Sequence, residues 1–147
     1  MTYKIYRPNI HICVYAHIII YFRGFVMTEL MDFLKTISDE TRLRILALLS
    51  AKELCVCEMC YILDESQPKI SRHLAKLRDM GLVQDKRQGQ WILYYMNIQD
   101  DMASQILRAI VNNYEQYPLL VKDRDRLSDQ MDKGLLSKTL MSDLKAL

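Results

Sequence analysis

Residues 66–96, SQPKISRHLAKLRDMGLVQDKRQGQWILYYM, constrain the fold more than any other stretch of the chain. Pro68 suits the first turn of a helix, where its missing N–H costs nothing. Ile70, Leu74 and Leu77 then line one helical face, and Gly81 is the expected stop. The following LVQDKRQGQWILYYM predicts two strands around a turn containing Gly89. A helix running straight into a tight hairpin is a specific arrangement. With only four glycines and three prolines in 147 residues, a turn-rich all-β alternative has little support.

The segments on either side are mainly helical. In TELMDFLKTI, Leu30, Phe33, Leu34 and Ile37 recur at i, i+3, i+4 and i+7. Ser38 is the expected N-cap of DETRLRILALLS, whose buried side is drawn from Leu43, Leu46, Ala47 and Leu49. ELCVCEMCYIL predicts a short helix ending near Leu63, and DES a turn. From Ile98 to about Tyr117 a helix is expected, with Met102, Ile106, Ile110 and Tyr114 at four-residue steps, closed or kinked by Pro118. Four helices, two strands and a helix in that order make a mainly α fold with a β-hairpin, the pattern of a winged helix-turn-helix.

This places one domain at 27–117, flanked by an N-terminal extension (1–26) and a charged C-terminal tail (118–147) that is weakly helical beyond KDRDR. The extension contains IHICVYAHIIIYF. His11 and His17 interrupt that run, Arg23 closes it and no small-residue cleavage site follows, which argues against a secretory signal, and the run is too short and too polar for a convincing membrane span. Met27 is the expected natural start.

Charge is concentrated where the hairpin motif lies. The whole chain carries +2, yet residues 66–90 hold six basic side chains against two acidic ones. A basic second helix and a basic hairpin tip are what a duplex-binding surface needs, because phosphate neutralisation supplies sequence-independent affinity. Lys69, Arg72, His73 and Lys76 lie opposite Ile70, Leu74 and Leu77. Ser66, Gln67 and Ser71 sit near the helix start, the end that reaches base edges in this motif, while Lys86, Arg87 and Gln88 occupy the hairpin tip. Gln67 matches an adenine edge and Arg72 a guanine edge. A basic face alone is equally well a solvated helix surface. It is the combination with the helices and the hairpin that points to DNA.

Three of the four cysteines fall within six residues, in ELCVCEMC (53–60). Cys55 and Cys57 are too close for an unstrained bridge, and Cys57 with Cys60 on a helix makes a poor one. Crowded thiols on a short segment fit a reducing cytosol and a metal or redox role. At about 100° per residue on an ideal helix, Cys57 and Cys60 share a direction and Cys55 points away. Binding one ion with all three therefore requires the first helical turn to unwind, which would disturb the recognition helix next to it. Three thiolates without a nearby histidine suit a thiophilic centre. As(III) or Sb(III) takes three sulfurs in a pyramid, whereas zinc wants a fourth ligand. Cys13 is a candidate fourth thiolate, which opens cadmium, lead or zinc. Buried structural cysteines and a thiol–disulfide switch are the competing explanations. An oxidoreductase has little support, since no βαβ pattern surrounds the thiols.

Taken together, ELCVCEMC, SQPKISRHLAKLRDMGLV, DKRQGQWILYYM and SDETRLRILALL make the chain resemble the ArsR/SmtB family of metal-sensing transcriptional repressors, and more narrowly its arsenic-responsive ArsR type. The resemblance runs from about Leu30 to Tyr117. It implies a cytoplasmic, homodimeric, non-enzymatic winged-helix repressor with no permanent cofactor and no membrane association. Its first and last helices would form the dimer interface. It would sit on double-stranded operator DNA and leave when the inducer, As(III) or Sb(III), binds Cys55, Cys57 and Cys60. The apolar stripes Met102–Ile106–Ile110–Tyr114 and Leu30–Phe33–Leu34 independently call for a partner surface. The first 26 residues and the length of the tail have no counterpart in the family pattern.

Overall fold

The structure, a computed structural model, describes residues 27–99 and 101–132. The expectations for residues 1–26, Cys13 included, and for residues 133–147 lie outside the described residues.

The chain divides into two compact units, Met1–Lys35 and Thr36–Leu147. Helix α1 spans residues 27–37, of which 27–35 belong to the first unit. Met27, Met31 and Leu34 recur at i, i+4 and i+7 along α1 and are exposed at 59%, 45% and 38%. An apolar stripe this open has no partner within its own helix.

The second unit opens with α2 (Glu40–Ala51). Its N-cap is Asp39, not the expected Ser38: the Asp39 carboxylate accepts from Arg42 N–H at 2.9 Å. A carboxylate at this position also meets the positive end of the helix dipole. Ile45, Leu46, Leu48 and Leu49 form the buried side, while Leu43 and Ala47 are only half-buried.

A short strand, β1 (Leu54–Cys55), precedes α3 (Val56–Leu63). The expected continuous helix from Glu53 is thus broken, because Cys55 has extended backbone (φ −84°, ψ 167°) and serves as the α3 N-cap. Asp64 ends α3 in the left-handed region, at φ 58°. Helix α4 (Gln67–Asp79) follows, with Pro68 in its first turn and Ile70, Leu74 and Leu77 buried. Gly81, at φ 70°, turns the chain out of α4 at a conformation that an L side chain rarely adopts.

The wing is the hairpin β2 (Val83–Gln88) and β3 (Trp91–Met96), paired from Val83–Met96 to Gln88–Trp91. The hairpin is expected from sequence; its third strand is not. The sheet order is β1-β3-β2, and β1 pairs antiparallel with β3, Leu54 opposite Tyr94 and Cys55 opposite Leu93.

Helix α5 (Asp101–Asn112) buries Ala103 and Leu107, and Met102 is 54% exposed. The predicted stripe of Met102, Ile106 and Ile110 is therefore not the inward face. A 3-10 turn (Tyr114–Gln116) leads to α6 (Pro118–Asp132). Pro118 opens this helix instead of closing the one before, which its lack of an N–H permits. Residues 118–132, expected as charged tail, bury Leu120, Asp123, Leu127 and Gln130. Asp123 grips Arg44 of α2 with two bonds of 2.7 Å, and Arg44 also donates to the Leu63 carbonyl at 3.1 Å. Arg126 donates to the Ile62 carbonyl at 2.9 Å. Two guanidiniums thus satisfy carbonyls at the C-terminal end of α3, which a helix end leaves orphaned.

Candidate functional site

The helix-turn-helix is α3, the Asp64–Ser66 turn and α4. The buried Ile70–Leu74–Leu77 stripe presses one side of α4 inward, so the polar side faces out. Ser66, Gln67, Ser71, Arg72 and Lys76 are exposed there, as are Lys86, Arg87 and Gln88 on the wing. Lys69 is half-buried and paired with Glu65. Arg72 and Lys76 carry no ion pair among the described residues. With Arg87, whose Nε–H goes to the neutral Gly89 carbonyl, they have no counterion among the described residues to displace.

Three basic side chains are committed elsewhere. His73 turns towards the α2 N-cap, with Nδ1 3.4 Å from Asp39 Oδ1 and a side chain only 15% exposed. This places it between α4 and α2. Arg78 donates to Asp85 at 3.0 Å, and that hydrogen bond raises its already high pKa. Lys86 donates to Glu53 at 2.6 Å and lies 5.5 Å from the centroid of the Tyr95 ring.

The cysteines gather at the junction of β1 and α3. Cys55 is buried, Cys57 exposed and Cys60 half-buried. Cys55 Sγ accepts from Glu58 N–H at 3.4 Å, while Glu58, itself buried, accepts from Cys55 N–H at 2.6 Å. This is a reciprocal capping box with cysteine in the place usually held by serine or threonine. Cys55 and Cys57 are joined in a disulfide, with Cα atoms 5.5 Å apart. That corrects the expectation that Cys55 points away from Cys57. The helical projection fails because Cys55 lies outside the helix, and extended backbone swings its sulfur back to Cys57. The first turn does not need to unwind to bring this pair together.

Cys60 is a free thiol, and burial pushes its pKa up, partly offset by a hydrogen bond with its own backbone. Among the described residues, no three His, Cys, Asp or Glu side chains form a group that could hold a metal ion. The structure pairs Cys55 with Cys57, and Cys60 is outside that pair. Sequence reading, which offers Glu53 and Glu58 only as a fourth zinc ligand, missed the contacts that Glu53, Glu58, Arg44 and Arg126 make. Glu58 was within reach, since Cys55-Val-Cys-Glu58 has capping-box spacing once cysteine is admitted as the cap. The other three act across long sequence separations and leave no local signal.

Known proteins resemble this chain in sequence and in fold. The family profile described as "Bacterial regulatory protein, arsR family" matches residues 39–85. The chain is 57% identical over 67 residues to "Arsenic resistance transcriptional regulator ArsR2" of Pseudomonas putida, a match covering 45% of this chain and 58% of that relative. It is 38% identical over 101 residues to "Arsenic resistance transcriptional regulator ArsR1" of the same organism, covering 67% of this chain and 77% of the relative. Among solved structures, "Reduced HlyU from Vibrio cholerae N16961" superposes with a TM-score of 0.57 at 29% identity, covering 63% of this chain and 95% of that one. The basic α4 face, the three-stranded wing sheet and these likenesses lead to one assignment: the chain belongs to the ArsR/SmtB family of winged helix-turn-helix transcriptional regulators.

Proposed function

We propose that this chain is a repressor that binds double-stranded operator DNA as a homodimer and is released when As(III) or Sb(III) binds the thiolates of Cys55, Cys57 and Cys60. The observation that carries the reading is the position of Cys55. It is at once the N-cap of α3, the first helix of the helix-turn-helix, and a strand residue paired with the wing. A sulfur that ligates an ion has less lone-pair density to offer Glu58 N–H, so ion binding weakens the cap. An ion that also takes Cys60, one turn along α3, pulls the helix and the strand towards one centre. Both elements that hold α4 and the wing in register are then loaded together.

On the DNA side, Arg72, Lys76 and Arg87 supply charge to the phosphates, joined by Lys69 and Lys86 once their carboxylate partners give way. Ser66, Gln67 and Ser71 at the start of α4 and Gln88 on the wing supply hydrogen bonds. His73 serves mainly to tie α4 to α2. The open stripe on α1 and the exposed Met102 of α5 supply apolar surface for a second copy. Two copies place two recognition helices on successive turns of the duplex. Among the described residues, no helix is long and apolar enough to cross a membrane.

A second reading is favoured by the Cys55–Cys57 disulfide: the same junction responds to oxidation instead of an ion. Divalent-metal sensing through Cys13 is a third, and it turns on a residue outside the described ones.

Fluorescence anisotropy of the reduced protein on its own upstream promoter DNA, titrated with arsenite, tests the proposal. Binding followed by arsenite-driven release is expected, and that release should disappear in the Cys57→Ser, Cys60→Ser protein. Release that persists in this variant would sink the thiol mechanism. Release by a mild oxidant but not by arsenite would transfer the function to the redox reading.

A further inference from the structure

We propose that Glu53 is a positioning residue: its carboxylate holds the wing lysine, Lys86, in an intramolecular ion pair that the DNA phosphate must displace. This rests on the operator-binding reading and adds a competitor built into the protein.

The argument begins with the register of the sheet. Leu93 of the central strand β3 is paired with Cys55 on one side and with Lys86 on the other. Directly opposed residues in antiparallel strands project to the same face, so Cys55, Leu93 and Lys86 form one row across the sheet. Glu53 lies just ahead of β1, two residues before Cys55, and its side chain reaches the same row. From there its Oε1 accepts from Lys86 Nζ at 2.6 Å, reaching over β3 to the far strand. The two side chains are 44% and 47% exposed, so water and a phosphate can both reach the pair.

Lys86 is thus not a free cation awaiting DNA. It is already neutralised, and the Tyr95 ring beside it favours the same place. A duplex that uses Lys86 must take it from Glu53. The exposed Arg87 next to it spends its Nε–H on the Gly89 carbonyl, a neutral acceptor that leaves its charge uncancelled. The two adjacent wing cations therefore differ: Arg87 attracts DNA at long range, and Lys86 engages by exchange. Because Glu53 and Cys55 lie on the same short segment, a displacement of that segment at the cysteines changes the geometry of the exchange.

A double-mutant cycle on operator DNA, using full-length reduced protein, isolates this contact. Glu53→Gln keeps the size of the side chain and removes its charge. It is expected to tighten operator binding about two- to five-fold, the scale of an exposed ion pair. Lys86→Met should weaken binding and lower the slope of log affinity against log salt by about 0.9, one phosphate contact. The decisive variant is the double one: in the Lys86→Met background, Glu53→Gln should change nothing. Equal tightening in both backgrounds would overturn the proposal, because it would show only that an acidic residue near DNA repels phosphate. No tightening in the wild-type background would overturn it too. Promoter binding by the unchanged protein reports on the operator reading alone, so the two failures are distinguishable.

Discussion

Asp123→Asn should destabilise the second unit by about 3 kcal/mol, at the lower end of the cost of breaking a buried ion pair. Asp123 is 3% exposed at the side chain and Arg44 is 8%, so water cannot replace the lost partner. The carboxylate makes two 2.7 Å bonds to the guanidinium, from Nε to Oδ2 and from Nη2 to Oδ1. Asparagine keeps one acceptor and loses the charge. Arg44 then has the Leu63 carbonyl at 3.1 Å and the largely exposed Glu40 carboxylate at 3.7 Å, which do not neutralise a buried cation. Urea denaturation at fixed protein concentration is the assay, since the proposed dimer would make apparent stability depend on concentration. A thermal midpoint lower by roughly 10 °C should accompany the loss. The control is Arg44→Met with Asp123→Leu, which removes both charges and is expected to recover most of the stability. A loss below about 1 kcal/mol for Asp123→Asn would show that the pair is solvated. A double variant as unstable as the single one would refute the reasoning, because the damage would then come from packing and not from a stranded charge.

Two other predictions concern DNA and the thiols. Arg72→Ala removes an exposed, unpaired guanidinium from the outer face of α4 and should weaken operator binding by about 1–3 kcal/mol if it reads a base edge. Unchanged affinity in an anisotropy titration would place that face off the duplex. For Cys60, burial raises the thiol pKa above the ordinary cysteine range, so the proton is held more tightly in the fold. Its contribution to stability is present below the unfolded pKa and is lost as pH rises through the folded one. The thiolate is the attacking species, so arsenite-driven release should become faster from pH 6 to 9. The midpoint should move little over most of that range, because arsenous acid condensing with three thiols releases three waters and no net proton. A stopped-flow rate that ignores pH would count against attack by Cys60.

The helical and hairpin segments were legible where local chemistry repeats. The 3.6-residue apolar period of α4, Pro68 at its start and Gly81 at its end need no tertiary information. The hairpin turn at Gly89 has the same character, as its φ of 63° asks for a residue without a side chain. Boundaries that depend on a contest between neighbours were less legible. Ser38 and Asp39 are both competent caps, and only the folded chain shows which carries the bond to Arg42. Pro118 is compatible with the end of one helix or the start of another, and the side chains of α6 decide for the start by burying Leu120 and Leu127.

The cysteine segment shows the limit most clearly. The sequence by itself determined that three thiols stand beside a recognition helix, and that the basic charge is gathered on that helix and its wing. These are properties of composition and spacing, and no fold can change them. Only the tertiary structure decided that Cys55 is strand and cap instead of helix. The pairing of Leu54 and Cys55 with β3 outweighs the helical preference of the local residues, and those partners lie about forty positions away. The same holds for Lys86 meeting Glu53 and for Arg44 meeting Asp123. Such contacts are set by how the elements pack, which local periodicity does not encode.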